Sequence, residues 1–180
     1  MIVLDAGHGR SNRKKGVWDP GAVADGLLVC EQEAQVAWKW ALSLKYYLGK
    51  LGVETRLTRP GYEDDCPLNS RRAGHGALLV SVHCNAAANP KAHGSEVLVR
   101  PGCPMRLANL AERCQVVLAV PPITSRGVKE RSGLAVLNNS DSALILEVGF
   151  LTNDSDLKAI TSAQHRKAVC QQLADVLAKW

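Results

Sequence analysis

The sequence predicts an α/β fold: a mostly parallel, twisted sheet of about six strands flanked by helices on both faces. Two observations carry that expectation. Short apolar runs alternate along the chain with amphipathic stretches of helical period. The two strongest runs, Leu78-Leu79-Val80-Ser81-Val82-His83 and Leu144-Ile145-Leu146-Glu147-Val148, are nearly continuously apolar. Strands of that kind are covered on both faces, in the middle of a parallel sheet.

Taken in order, strands are predicted at 2–6, 53–58, 78–83, 95–100, 134–137 and 143–148. Helices are predicted near 33–51, 68–74, 105–119 and 163–179. Gly52 stands just past the first helix, where a left-handed cap is expected. Ser162, or Thr161, is the expected N-cap of the last. Repeats, low-complexity tracts and Pro/Ser-rich linkers are absent, so residues 1–180 are expected to form a single domain.

Composition narrows the function. With 46% hydrophobic residues and a mean hydropathy of −0.08, the chain reads as globular. Membrane insertion is not expected, because no apolar run approaches the roughly 18 residues of a span. Twenty-two Lys and Arg against 17 Asp and Glu leave a net charge of +5, which favours polyanionic surroundings. No basic run carries interleaved aromatics and there is one Phe, so nucleic acid is disfavoured. The six cysteines, at 30, 66, 84, 103, 114 and 170, form no Cys-x-x-Cys pair, and most are expected to be free thiols. The chain opens directly on a strand without a charged leader, so a secretory signal is not expected.

Ionisable residues cluster where these strands end, and in open α/β sheets chemistry is built in the crevice at the strands' carboxyl ends. His8 follows the first strand between Gly7 and Gly9, and Asp19-Pro20-Gly21 marks a further tight turn. His83 closes a buried strand, where an unpartnered imidazole would be costly. Two such histidines and an acid would make the open three-ligand site of a hydrolytic zinc enzyme. The acid is Glu31 or Glu33. At about 100° per residue, Val36, Trp40, Leu44, Tyr47, Leu48 and Leu51 fall within roughly 60° of Glu33, which places Glu33 on the inward face. Favourable charge at a helix N-terminus would explain either residue without a metal. Glu147, within an apolar strand, must be paired, metal-linked or functional, because desolvation penalises its charge.

These residues resemble the zinc-dependent N-acetylmuramoyl-L-alanine amidases of bacterial cell separation and phage lysis. The matching segments are Ile2 to Gly9 with Asp19-Pro20-Gly21-Ala22, Leu57-Thr58-Arg59, Ser81 to Ala86, Arg126-Gly127-Val128-Lys129, and Leu146 to Asn153. They stand in the family's order across nearly the whole chain. The resemblance implies metal-assisted hydrolysis of the amide between N-acetylmuramic acid and L-alanine. It implies zinc held by His8, a helix-opening glutamate and His83, with Glu147 catalytic. Counting back from Gly52 and Thr58-Arg59 selects Glu33. The Val29-Cys30-Glu31-Gln32 run departs from the family's usual Gly-Leu-x-Glu and keeps Glu31 open.

Some cell-separation members carry an inserted helix that blocks the zinc. Only the short Arg106–Cys114 stretch stands at that place here, so no built-in inhibitor is expected. The expected partner is peptidoglycan, with anionic wall polymers as a possible second, and the chain is expected to act as a monomer. Without a signal, linker or wall-binding module it looks like a compact phage lysin. Such a lysin is held in the host cytoplasm until the membrane is breached. Asn85 is a candidate for holding substrate, and Arg126 and Lys129 for meeting peptide carboxylates or wall phosphates. Two rivals share parts of this pattern: a zinc peptidase or deacetylase acting on the wall, and a non-catalytic wall-binding module.

Overall fold

The computed structural model describes residues 1–24 and 31–180. Strands β1 (Ile2–Ala6), β4 (Thr55–Leu57), β5 (Leu78–Asn85), β6 (Ser95–Val99), β7 (Ser125–Glu130) and β8 (Ser142–Phe150) form one sheet in the order β4-β1-β5-β8-β6-β7. Four of them are parallel neighbours. β6 runs antiparallel to β8 and carries β7 parallel beside it. The short strands β2 (Gly9–Arg10) and β3 (Trp18–Asp19) pair separately. Helices α1 (Glu33–Lys50), α2 (Met105–Leu118), α3 (Ala135–Asn138), α4 (Asp154–Thr161) and α5 (Ala163–Leu177) complete the described elements. The mostly parallel, six-stranded α/β sheet expected from the sequence is present, with the β6–β8 pair antiparallel.

Side chains alternate across each strand, and here the two faces differ. Ile2, Leu4, Leu78, Val80, Val82, Leu144 and Leu146 join α1, α2 and α5 in the main core. Val3, Leu79, Leu98, Ala143 and Ile145 face a smaller cluster closed by Ala73, Val136 and Leu137. Toward the carboxyl ends that second face turns polar, with Asp5, Ser81, His83 and Glu147 following Val3, Leu79 and Ile145 at the two-residue period. Among the described residues, long helices therefore cover one face and short elements the other. The thinner face is where a cleft can open.

α1 meets its expectation on the inward side. Glu33, Val36, Ala37, Trp40, Ala41, Leu44 and Leu48 are buried. Leu51 caps the helix and is exposed instead, and Gly52 adopts φ +71 just beyond. The Trp40 indole donates to the Ile160 carbonyl at 2.9 Å, tying α1 to the end of α4. Ser162 caps α5, its hydroxyl accepting from the His165 amide.

Three expectations are corrected. The run 134–137 is not a strand: Ala135–Asn138 is one helical turn covering the thin face. A short apolar run has no periodicity to separate the two. The sixth strand is instead β7, whose largely exposed residues give an edge strand no apolar pattern. Helix 68–74 shrinks to a 3-10 turn at Leu68–Ser70, because Arg71 turns inward to a buried carboxylate. α4 was not predicted. Its signal was Asn153 ahead of two acids, and the Asn153 side chain accepts from the Ser155 and Asp156 amides.

Candidate metal centre

Three elements converge at the carboxyl end of β1 and β5. His8 follows β1 in a left-handed conformation, φ 58, and its carbonyl accepts from Arg71 Nη2 at 2.5 Å. Its Nδ1 lies 3.1 Å from Asp19 Oδ2, which turns Nε2 toward Glu33 Oε2, also at 3.1 Å. Glu33 opens α1, and its Oε1 lies 2.8 Å from His83 Nδ1. The Ala22 and Cys84 amides donate to its two oxygens at 2.9 and 3.1 Å, fixing the carboxylate. One ligand atom from each of His8, Glu33 and His83 lies within 4.8 Å of the others.

Glycines make the room. A Cβ on Gly7 would come within 2.4 Å of the His83 ring, and one on Gly21 within 2.6 Å of both Glu33 and His8. Gly21 also sits at φ +69. Real Cβ atoms do not make such contacts, so any other residue would push the ligand side chains aside.

Two imidazoles and one carboxylate form the donor set of a hydrolytic zinc site that keeps an open position. Asp19 behind His8 supplies the carboxylate that commonly orients such a histidine. Burial alone would raise the Glu33 carboxyl and lower the His83 imidazolium. Hydrogen bonds and charge shared between His8, His83 and Glu33 outweigh it, so Glu33 is held well below the usual carboxylate range and His83 rises to about 9. A buried anion there needs a cation opposite it, which a metal would also provide.

Glu147 lies beside this group, paired in register with His83 across β5 and β8. Its Oε2 is buried without a hydrogen-bond partner among the described residues. Burial first, then Glu33 and Glu96, lift its carboxyl to about 7 despite His83. His8, His83 and Glu147 line a cleft of about 350 Å³ whose other walls include Leu134, Val136, Ile145 and Arg13. Glu31 is outside the three-residue group, and its half-buried side chain precedes the helix.

The sequence profile of the family described as N-acetylmuramoyl-L-alanine amidase matches residues 2–179. This chain belongs to that family. It is similar to N-acetylmuramoyl-L-alanine amidase LytC of Bacillus subtilis, with 28% identity over 178 residues, 97% of this chain and 34% of that protein. The amidase structure from Clostridium difficile 630 shares its fold at a TM-score of 0.82 and 22% identity, covering 99% of this chain and 94% of that one. The catalytic domain of the CD27L endolysin, described as targeting Clostridia difficile, follows at 0.77 and 20%, covering 99% and 96%. The chain spans 34 to 57% of the length of the first curated relatives it matches.

Within this family frame, the Arg106–Cys114 stretch is part of α2. It packs through Leu107, Leu110, Ala111 and Cys114 into the main core, on the sheet face away from His83 and Glu147. Arg126 and Lys129 both pair with Glu96, the β6 neighbour of Glu147. Asn85 ends β5, two residues past His83. Cys66, Cys84, Cys103, Cys114 and Cys170 are free thiols, and Cys30 lies outside the described residues. Sequence reasoning took Asp19 for a turn residue only and found no role for Arg71. Asp19 did carry a signal, an acid in the turn that follows the first histidine.

Proposed function

We propose that this chain hydrolyses the amide between N-acetylmuramic acid and L-alanine in peptidoglycan. His8, Glu33 and His83 hold zinc, and residues 1–180 act as one catalytic unit. The observation that carries the proposal is the His8/Glu33/His83 donor group beside a Glu147 oxygen without a partner among the described residues, with His8, His83 and Glu147 lining one cleft. Zinc bound there supplies Lewis-acid polarisation of the scissile carbonyl and acidifies a water. Glu147 takes the proton of the attacking water and delivers it to the departing alanine nitrogen. Asp19 keeps Nε2 of His8 facing the site, and Glu33 is fixed by two backbone amides before any metal arrives.

Metal analysis of the purified protein, joined to product analysis of digested walls, tests this. About one zinc per chain is expected, with new alanine amino termini and no new reducing ends. Glu33→Ala is expected to lose the zinc and Glu31→Ala to keep it. The reverse pattern would move the ligand to Glu31, and new termini inside the stem peptide would make the chain a peptidase. Wall binding without any cleavage would leave only a binding module. The lytic role expected from the sequence belongs to this proposal, supported by the fold shared with an endolysin catalytic domain. Permeabilised cells that keep their turbidity when the protein is added would remove it.

A further inference from the structure

The cleft does not end at His8, His83 and Glu147. It continues into a second groove of about 560 Å³, and the two share Asn12, Arg13 and Leu68 as a common wall. Arg13 and Lys15 bring positive charge to the second groove, and Asp65 faces them. The Asp65 charge is already met, because Arg10 Nε lies 3.5 Å away and the Ser11 hydroxyl donates to it. Arg13 lies 3.3 Å from Asp19, whose same oxygen also receives His8 and Asn12. Lys15 forms no ion pair among the described residues. The groove therefore keeps positive charge that nothing described in the chain neutralises.

The turn bearing these cations is held in place. Ser11 and Asn12 are buried although polar. The Ser11 amide donates to the Val17 carbonyl at 2.8 Å, and the Gly16 amide to the Ser11 hydroxyl at 2.7 Å. Asn12 donates to Asp19 at 2.7 Å while its carbonyl accepts from the Leu68 amide at 3.0 Å. Arg13-Lys14-Lys15 thus stand exposed on a turn whose backbone is tied inward. A cation displayed this way loses less freedom on meeting an anion than one on a loose loop.

We propose that this second groove is an anion subsite that takes a carboxylate of the stem peptide on the leaving-group side of the scissile amide. The inference rests on the amidase reading above. The far wall of the first cleft is apolar, with Leu134, Val136 and Ile145, and offers a carboxylate nothing. The charged end of the substrate accordingly lies toward Lys15. The subsite makes the chain discriminate between stem peptides with free carboxylates and the same peptides amidated.

The test uses a soluble muramoyl-L-alanyl peptide with free carboxylates and its carboxamide twin. Each is titrated into the metal-free wild type and into Lys15→Gln and Lys15→Glu, with metal uptake measured alongside to check the donor group. The free-carboxylate peptide is expected to bind wild type about fivefold more tightly than its twin, the scale of one exposed ion pair. That preference should vanish in Lys15→Gln and reverse in Lys15→Glu. With zinc restored, the change should appear in KM rather than kcat. An equal preference in all three proteins would overturn the subsite. A preference in binding with neither peptide cleaved would overturn the amidase reading and leave the subsite standing. Walls with and without their phosphate polymers distinguish the other anion source. A Lys15→Gln defect confined to phosphate-bearing walls would overturn the carboxylate assignment.

Discussion

Glu147 shows how its surroundings suit one side chain to the proton-transfer role proposed for it. The residue sits in a strand of Leu, Ile and Val, paired on one side with His83 and on the other with Glu96. Glu96 is neutralised by Arg126 and Lys129, whereas Glu147 keeps an oxygen without a partner among the described residues. A carboxyl held near neutrality by burial is suited to moving a proton in both directions. Glu147→Gln is therefore expected to fold and match the wild type's metal content while losing activity by at least about 10²-fold. Steady-state kinetics alongside metal content would check this. A zinc-loaded variant working at near the original rate would show that the proton moves elsewhere.

At the scale of elements, the Asp5–Arg71 pair joins four segments that local structure alone would not connect. Asp5 ends the apolar half of β1 and is completely buried. It accepts from Arg71 at 2.8 Å, from Ser81 of β5 at 2.6 Å and from Thr58 after β4 at 2.5 Å. Arg71 also donates to the Ala6, His8 and Cys66 carbonyls, so the pair sets where β1 delivers its histidine. Burial pushes the Asp5 carboxyl up, but Arg71 and then the two hydroxyls outweigh it and hold it below its ordinary 3.8. A depressed acid contributes stability that is present above its unfolded value and lost as pH falls through its folded one. Thermal stability of the wild type is expected to fall as pH drops below about 4, with a shallower slope in Asp5→Asn. That variant should also lose about 3–5 kcal/mol at neutral pH, since it strands a buried guanidinium. Parallel slopes in the two proteins would assign the acid sensitivity to other carboxylates.

Over the whole molecule, the charge of +5 is distributed unevenly around the site. Arg71, Arg126, Lys129 and Arg13 are paired with acids, whereas Lys15 stands exposed at the groove beside the cleft. Long-range attraction to an anionic wall shrinks with the screening length, from about 10 Å at 0.1 M salt to about 3 Å at 1 M. Wall digestion is expected to slow several-fold over that range while cleavage of a soluble uncharged substrate changes little. A flat salt profile on intact walls would take net charge out of the account.

The sequence by itself determined the sheet's interior and the ends of its strands. Continuous apolar runs can only be buried, and an ionisable residue at the end of such a run has to be put to use. His8, His83 and Glu147 were legible as candidates for that reason, and the helical period that faces Glu33 inward favoured it over Glu31. Edges and thin layers were not legible. β7 pairs along one side and shows no apolar pattern, and the apolar 134–137 run fits a strand or a helical turn equally well until a neighbouring face selects one. Tertiary structure alone decided that Asp19 stands behind His8, that Arg71 reaches 66 residues back to Asp5, and that Gly7 and Gly21 leave space for the donor group. Each is a contact between side chains from separate elements, and local periodicity carries no information about which elements meet.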